Sequence, residues 1–169
     1  MRLYAKEKVF TLRDKFRFFD ENENDVYLVE GKLWSFTKQL TMTDTLSNEV
    51  AFIKEQFLTW MPKFHVFVGG VEVAEIRKHF TFFKPKYSID CKGWEIQGDF
   101  LNHDYSIMKD EKQIATIHKK WLTWGDTYEI DITDPADAVL VCSIVLCIDC
   151  VDERTAAAAS SASSSSTSS

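Results

Sequence analysis

The side chains best suited to metal or nucleophilic chemistry are four histidines (His65, His79, His103, His118) and four cysteines (Cys91, Cys142, Cys147, Cys150). Cys142-x4-Cys147-x2-Cys150 resembles part of an iron–sulfur ligand spacing, with Cys91 as a distant fourth. A cluster needs a loop folding around it, whereas these cysteines lie in an apolar run without glycine and read as small core hydrophobes. The histidines are scattered at spacings without metal-site logic. His103 stands among Asp99, Asp104 and Tyr105, and an Asp–His pair can support general-base work. No nucleophile accompanies it, Gly-x-Ser-x-Gly is absent, and only 6 Gly leave no phosphate-cradling loop. The expectation is a protein without catalytic residues, metal ligands or cofactor. The enzyme alternative is a cleft around His103.

Basic residues gather near aromatic ones: Arg77, Lys78 and His79 with Lys84 and Lys86, Lys119 with Lys120, and Lys6 with Lys8. Brought together on one outer surface, Arg77, Lys78, Lys84, Lys86, Lys119 and Lys120 would attract phosphates or anionic lipid head groups. Paired with acids, they would make an ordinary solvated face, the reading that composition favours. The aromatic corners Phe57/Trp60, Phe80/Phe82/Phe83 and Trp121/Trp124 suit a ligand or a membrane interface, but their recurrence favours core and corner packing.

Strands must position these residues. The 169-residue chain is 27% charged and 45% hydrophobic, which suits one domain with a full core. Period-2 alternation dominates, and about twelve such runs precede Asp134, separated by turn clusters. The clearest is Phe64–Val68, then Gly69-Gly70, then Val71–Ile76, a tight hairpin. A repeat runs through the pattern. Ala51-Phe52-Ile53, Ala74-Glu75-Ile76 and Ala115-Thr116-Ile117 each lead through an aromatic corner to a second strand, and a shortened copy begins at Lys32. Regular short strands with turn signals mean a sandwich or a barrel.

The end of the chain differs. Asp134-Pro135-Ala136-Asp137 supplies an Asp cap and a first-turn Pro, and Ala138 to Ile148 carries no charge. A helix apolar on every side must be buried on every side, although its β-branched residues also suit a central strand. The capping signals favour a helix over residues 136–150, with the strands closed around it and no exposed sheet edge. The domain is expected over residues 1–153. From residue 154 onward a disordered tail is expected, since residues 155–169 comprise 8 Ser, 5 Ala and 2 Thr.

Charge is segregated: residues 121–154 hold Arg154 alone against eight acids, while residues 1–120 are nearly balanced. With a formal net charge of −6, the chain is poorly suited to nucleic acid. Without an apolar run of membrane-spanning length or a signal-peptide pattern, the expectation is a cytoplasmic protein with reduced thiols.

Three stretches carry a family resemblance. Gly93-Trp94-Glu95-Ile96-Gln97-Gly98-Asp99-Phe100-Leu101-Asn102-His103-Asp104-Tyr105-Ser106-Ile107 is the first, and Lys119-Lys120-Trp121-Leu122-Thr123-Trp124-Gly125-Asp126-Thr127-Tyr128 the second. The third is Asp134-Pro135-Ala136-Asp137-Ala138-Val139-Leu140, running into the apolar segment. Together they resemble the signature of the LURF-one-related (LURP-one-related) family, over residues 1 to about 153. The resemblance implies the fold of the tubby C-terminal domain and the phospholipid scramblases: a closed twelve-stranded antiparallel β-barrel around a central hydrophobic C-terminal α-helix. It supplies no catalytic residue, and tubby domains bind phosphoinositides. The functional expectation is therefore a reversible anionic-lipid or phosphoinositide module, peripheral at membranes. The alternative is a protein-interaction scaffold without a small ligand.

Overall fold

The computed structural model describes residues 1–7, 15–32, 36–79, 86–99, 102–120 and 127–163. The alternating runs form twelve strands: β1 (Arg2–Glu7), β2 (Lys15–Phe19), β3 (Asp25–Gly31), β4 (Gln39–Asp44), β5 (Glu49–Glu55), β6 (Lys63–Val68), β7 (Val71–His79), β8 (Lys86–Asp90), β9 (Trp94–Asp99), β10 (Asp104–Lys109), β11 (Lys112–Lys120) and β12 (Thr127–Ile132). Their order in the sheet, β8-β7-β6-β5-β4-β3-β2-β1-β12-β11-β10-β9, is a meander whose two halves join where β1 pairs antiparallel with β12.

The expected closed barrel is nearly closed. β8 and β9 are consecutive in the chain but have no ladder between them, so they form the two edges of the sheet. A tight turn links them, with Lys92 and Gly93 at φ 48° and 69° and the Trp94 amide donating to the Cys91 carbonyl at 2.7 Å. A 490 Å³ cleft follows the seam, lined by Tyr87, Ile89, Trp94 and Ile96 among others.

The repeat has a packing explanation. Ala51 and Ile53 on β5, Ala74 and Ile76 on β7, and Ala115 and Ile117 on β11 are all buried, as are Phe64, Tyr87 and Tyr128 on the strands that follow. A strand sends alternate residues to one face, so an Ala-x-Ile pair offers the interior one small and one large surface. The large residue grips the central helix and the small one leaves it room. The Gly69-Gly70 hairpin forms as expected, with both glycines at positive φ.

Asp134 caps the last element, its carboxylate accepting from the Ala136 amide at 2.9 Å, and a single 3-10 turn (Pro135–Asp137) leads into helix α1 (Ala138–Ser163). Val141 to Ile148 are buried without interruption, so every face of these two turns meets the barrel wall. Ser143, the one hydroxyl among them, donates to the Val139 carbonyl at 2.8 Å. The helix starts two residues later than expected and does not stop at residue 150. It continues through the Ala-rich stretch that composition assigns to a disordered tail. Alanine is the strongest helix former, and neither Gly nor Pro intervenes between Pro135 and Ser163. The Thr155 hydroxyl adds a bond to the Val151 carbonyl at 2.8 Å.

Three substitutions test this architecture. Ile144 is fully buried at mid-helix, so Ile144→Asp places an unpaired carboxylate in the core at a cost of several kcal/mol. A thermal melt by circular dichroism matching the parent would rule out the axial helix. Gly98 sits at φ 141° facing Tyr105, where a Cβ would lie 2.5 Å from the Asp104 carbonyl oxygen and 2.6 Å from the Tyr105 Cα. Gly98→Ala is expected to cost about 3 kcal/mol, against about 1 kcal/mol for Gly70→Ala, where nothing lies within 4 Å. Urea unfolding of the two variants gives the ranking.

Candidate functional site

The emerging end of α1 lies at the end of the barrel where β3 passes to β4 and β5 to β6. There the Lys38 ammonium reaches Glu153 at 3.0 Å, and Arg154 pairs with Glu55. Several of the basic residues singled out in the sequence also lie at this end. Strand alternation splits them. Arg77, facing outward on β7, pairs with Glu75 at 2.6 Å, and Lys120, facing outward on β11, pairs with Glu129. Their neighbours Lys78 and Lys119 point the other way. Lys78 donates to the Thr155 hydroxyl at 2.9 Å, lies 3.8 Å from Asp152, and sits 5.8 Å above the Tyr87 ring. Lys119 sits 5.2 Å above the Tyr128 ring. These four therefore form no single outer patch. Lys84 lies outside the described residues, as do the side chain of Lys86, the corners Phe80/Phe82/Phe83 and Trp121/Trp124, and residues 164–169.

Inside this end is a polar collar. Asp149 and Asp152, three residues apart, share a side of α1. The Tyr128 hydroxyl donates to Asp149 at 2.5 Å and the Tyr87 hydroxyl to Asp152 at 2.6 Å. His103 brings Nδ1 within 3.6 Å of Asp152 and its ring edge-on to Tyr128, with centroids 5.8 Å apart. Burial, and then the adjacent carboxylates, push the tyrosine hydroxyls of Tyr87, Tyr105 and Tyr128 well above their ordinary value. The enzyme alternative required His103 to converge with Asp99 and Asp104. Instead Asp104 pairs with His118 at 2.9 Å, and Asp99 accepts from the Asn102 amide at 2.8 Å. The cysteines do not gather as a set of four: all are buried and free, and the helical pitch turns Cys147 about 140° from Cys142, although Cys147 and Cys150 share a side of α1.

The outer rim was the part that sequence reasoning placed wrongly. Phe36, Phe57, Leu58 and Trp60 are 100%, 60%, 86% and 94% exposed. The expectation of corner packing fails for Phe57 and Trp60 because the Gln56 amide closes directly onto the Lys63 carbonyl at 2.8 Å. The intervening residues loop out, with Leu58 at φ 54° and both Leu58 and Trp60 largely exposed. A 420 Å³ cleft beside this rim is lined by Lys32, Phe36, Lys38, Glu55, Glu153 and Arg154, among others. The sequence offered no signal that separates an exposed corner from a packed one, since the recurrence of the aromatic corners suits either.

A model of the LURP-one-related family matches residues 1–149. The chain belongs to that family. It is 32% identical over 149 residues to the uncharacterized protein YxjI of Bacillus subtilis (strain 168), covering 88% of this chain and 92% of that one. The X-ray structure of the Arabidopsis thaliana protein AT5G01750 superposes with a TM-score of 0.64 at 16% identity, over 89% of this chain and 91% of that one. The fold is thus shared: a tubby-like barrel with a C-terminal helix. No helix among the described residues is long and apolar enough to cross a membrane.

The collar makes a pH prediction. A tyrosine whose folded pKa lies above its unfolded value of about 10 binds more protons folded than unfolded once pH passes that value. Its stabilisation is complete below pH 10 and is lost as pH rises above it. Thermal melts between about pH 8 and about pH 11 should therefore show a falling melting temperature, with a shallower fall in Tyr128→Phe. At neutral pH that variant should lose about 1–3 kcal/mol, since Asp149 forfeits its hydroxyl donor.

Proposed function

We propose that this LURP-one-related barrel is a non-enzymatic module that binds anionic lipid head groups reversibly through the end from which the helix emerges. The observation that carries this reading is the rim of Phe36, Phe57, Leu58 and Trp60, exposed on two neighbouring turns. Single exposed apolar residues need no explanation, but a group of four on adjacent turns marks a contact surface. Aromatic side chains suit the boundary between hydrocarbon and head groups, and Lys32 at the adjoining cleft supplies charge for phosphates, while Lys38 and Arg154 there are engaged by Glu153 and Glu55. The basic positions named from sequence contribute less. Arg77 and Lys120 are engaged by Glu75 and Glu129, and Lys78 and Lys119 face the collar.

A net charge of −6 opposes general attraction to an anionic surface, so the local rim must act against it. Each basic residue near such a surface contributes roughly 1 kcal/mol, which salt weakens, and the exposed rings add apolar burial. The result is a peripheral, salt-sensitive association. Support for a non-catalytic role comes from the dispersal of His103, Asp99 and Asp104 onto separate partners.

Liposome co-sedimentation with and without phosphoinositides, at low and physiological salt, tests the reading. Pelleting is expected at low salt, weaker at physiological salt, and reduced about tenfold in the double variant Phe36→Ser, Trp60→Ser. Absence of pelleting at low salt, or pelleting indifferent to the double variant, would remove the lipid reading and leave a protein-interaction scaffold.

A further inference from the structure

Away from the rim, the outer face of the β6–β7 hairpin brings one histidine and two glutamates together. His65 and Glu75 are direct cross-strand partners. Glu72 should not join them. It shares strand parity with Ala74 and Ile76, which point into the core. The register shifts beside it, however: Val66 pairs with Ala74 but Phe67 pairs with Glu72, leaving Val73 as an extra residue. A bulge of this kind re-aims the side chains next to it, and here it turns Glu72 outward. His65 Nδ1 then lies 2.7 Å from Glu72 Oε1 and 4.0 Å from Glu75 Oε2, and the three ligand atoms all fall within 4.8 Å of one another.

We propose that His65, Glu72 and Glu75 form a binding site for a divalent transition-metal ion, with zinc the best match. One imidazole with two carboxylates is a zinc-type donor set, and the imidazole disfavours magnesium or calcium. Bonds of 2.0–2.1 Å to a tetrahedral ion place ligand atoms about 3.3 Å apart, a value bracketed by the two His65 distances. Side-chain exposures of 20%, 47% and 22% for His65, Glu72 and Glu75 leave room for water as the fourth ligand. The second ring nitrogen has a partner as well: Nε2 lies 3.1 Å from Gln56 Oε1, to which its N–H donates when Nδ1 holds the metal.

Glu75 already has two cationic neighbours. Lys63 reaches Oε2 at 2.9 Å and Arg77 reaches Oε1 at 2.6 Å. A zinc ion takes the oxygen held by Lys63, whose flexible stem swings out, while Arg77 keeps the other. Lys63 is thus a competitor of the metal. This distinguishes a metal site from a hydrogen-bonded surface cluster.

Isothermal titration of zinc chloride into the full chain, in a non-chelating buffer, tests the assignment. One saturable ion per chain is expected. It should vanish in His65→Ala, weaken about tenfold in Gln56→Leu, and tighten in Lys63→Gln, each variant being checked as folded by circular dichroism. No saturable binding to the parent, binding unchanged in folded His65→Ala, or weaker binding in Lys63→Gln would each overturn it.

Discussion

The structure depends on one constraint: α1 is apolar on every face from Val141 to Ile148, so water must be excluded from its whole circumference. A single sheet or a partner helix covers one side. Twelve antiparallel strands rolled into a barrel cover all of them, and the roll tightens to the helix because the inward residues of the repeated strands alternate Ala with Ile. The interior is thereby occupied by the helix and the inward side chains. In a barrel of this kind binding must use the rims, the seam and the outer wall, and the clefts at the β8–β9 seam and beside Glu153 lie there.

Leaving the barrel poses the opposite problem, since a helix that emerges must become polar without breaking. The collar makes the change in two steps. Asp149 and Asp152 still lie partly within the wall, where Tyr128 and Tyr87 donate to them. Directly after them, Glu153 and Arg154 reach the rim, where Lys38 and Glu55 meet them. The charge imbalance along the chain is resolved in space by the same route. Acids of the −7 segment find bases far away in the chain: Asp131 pairs with Arg2 at 2.7 Å, Asp137 with Lys92 at 3.0 Å, and Glu153 with Lys38.

Much of this was legible in the sequence, for reasons that differ by element. The strands, the Gly69-Gly70 turn and the Asp134-Pro135 helix start depend on local periodicity, positive φ and capping, all properties of adjacent residues. The end of the helix was not legible. Its Ala/Ser composition lacks apolar surface, yet continuing an existing helix requires no new nucleus, and alanine propagates one readily. The seam was hidden because edge strands and paired strands alternate alike. The candidate sites were the least legible. Runs such as Arg77-Lys78 and Lys119-Lys120 look like clusters in one dimension, and the pleat divides each pair between two faces. His65, Glu72 and Glu75 look dispersed at spacings of seven and three, and a hairpin with one bulge gathers them.

That reversal bears on how surfaces of such a barrel acquire function. On a regular strand, a cluster of like residues is broken by alternation unless the residues sit two apart, so chemistry on the wall has to be assembled across strands. Cross-strand pairing brings two residues together, as with His65 and Glu75. A third on the same face comes from two residues along a strand, from the next strand or from a break in the pleat. The extra residue at Val73 is such a break, and its effect is confined to the outer face: Ala74 and Ile76 remain buried against the helix. The rim obeys another rule. Its residues belong to turns, whose lengths are free of the pleat, so Phe57, Leu58 and Trp60 can project together without disturbing Phe64 or Ile53 beneath them. A fold whose core is committed to one helix thus leaves the bulged wall and the turns at the open end free to change while the barrel does not.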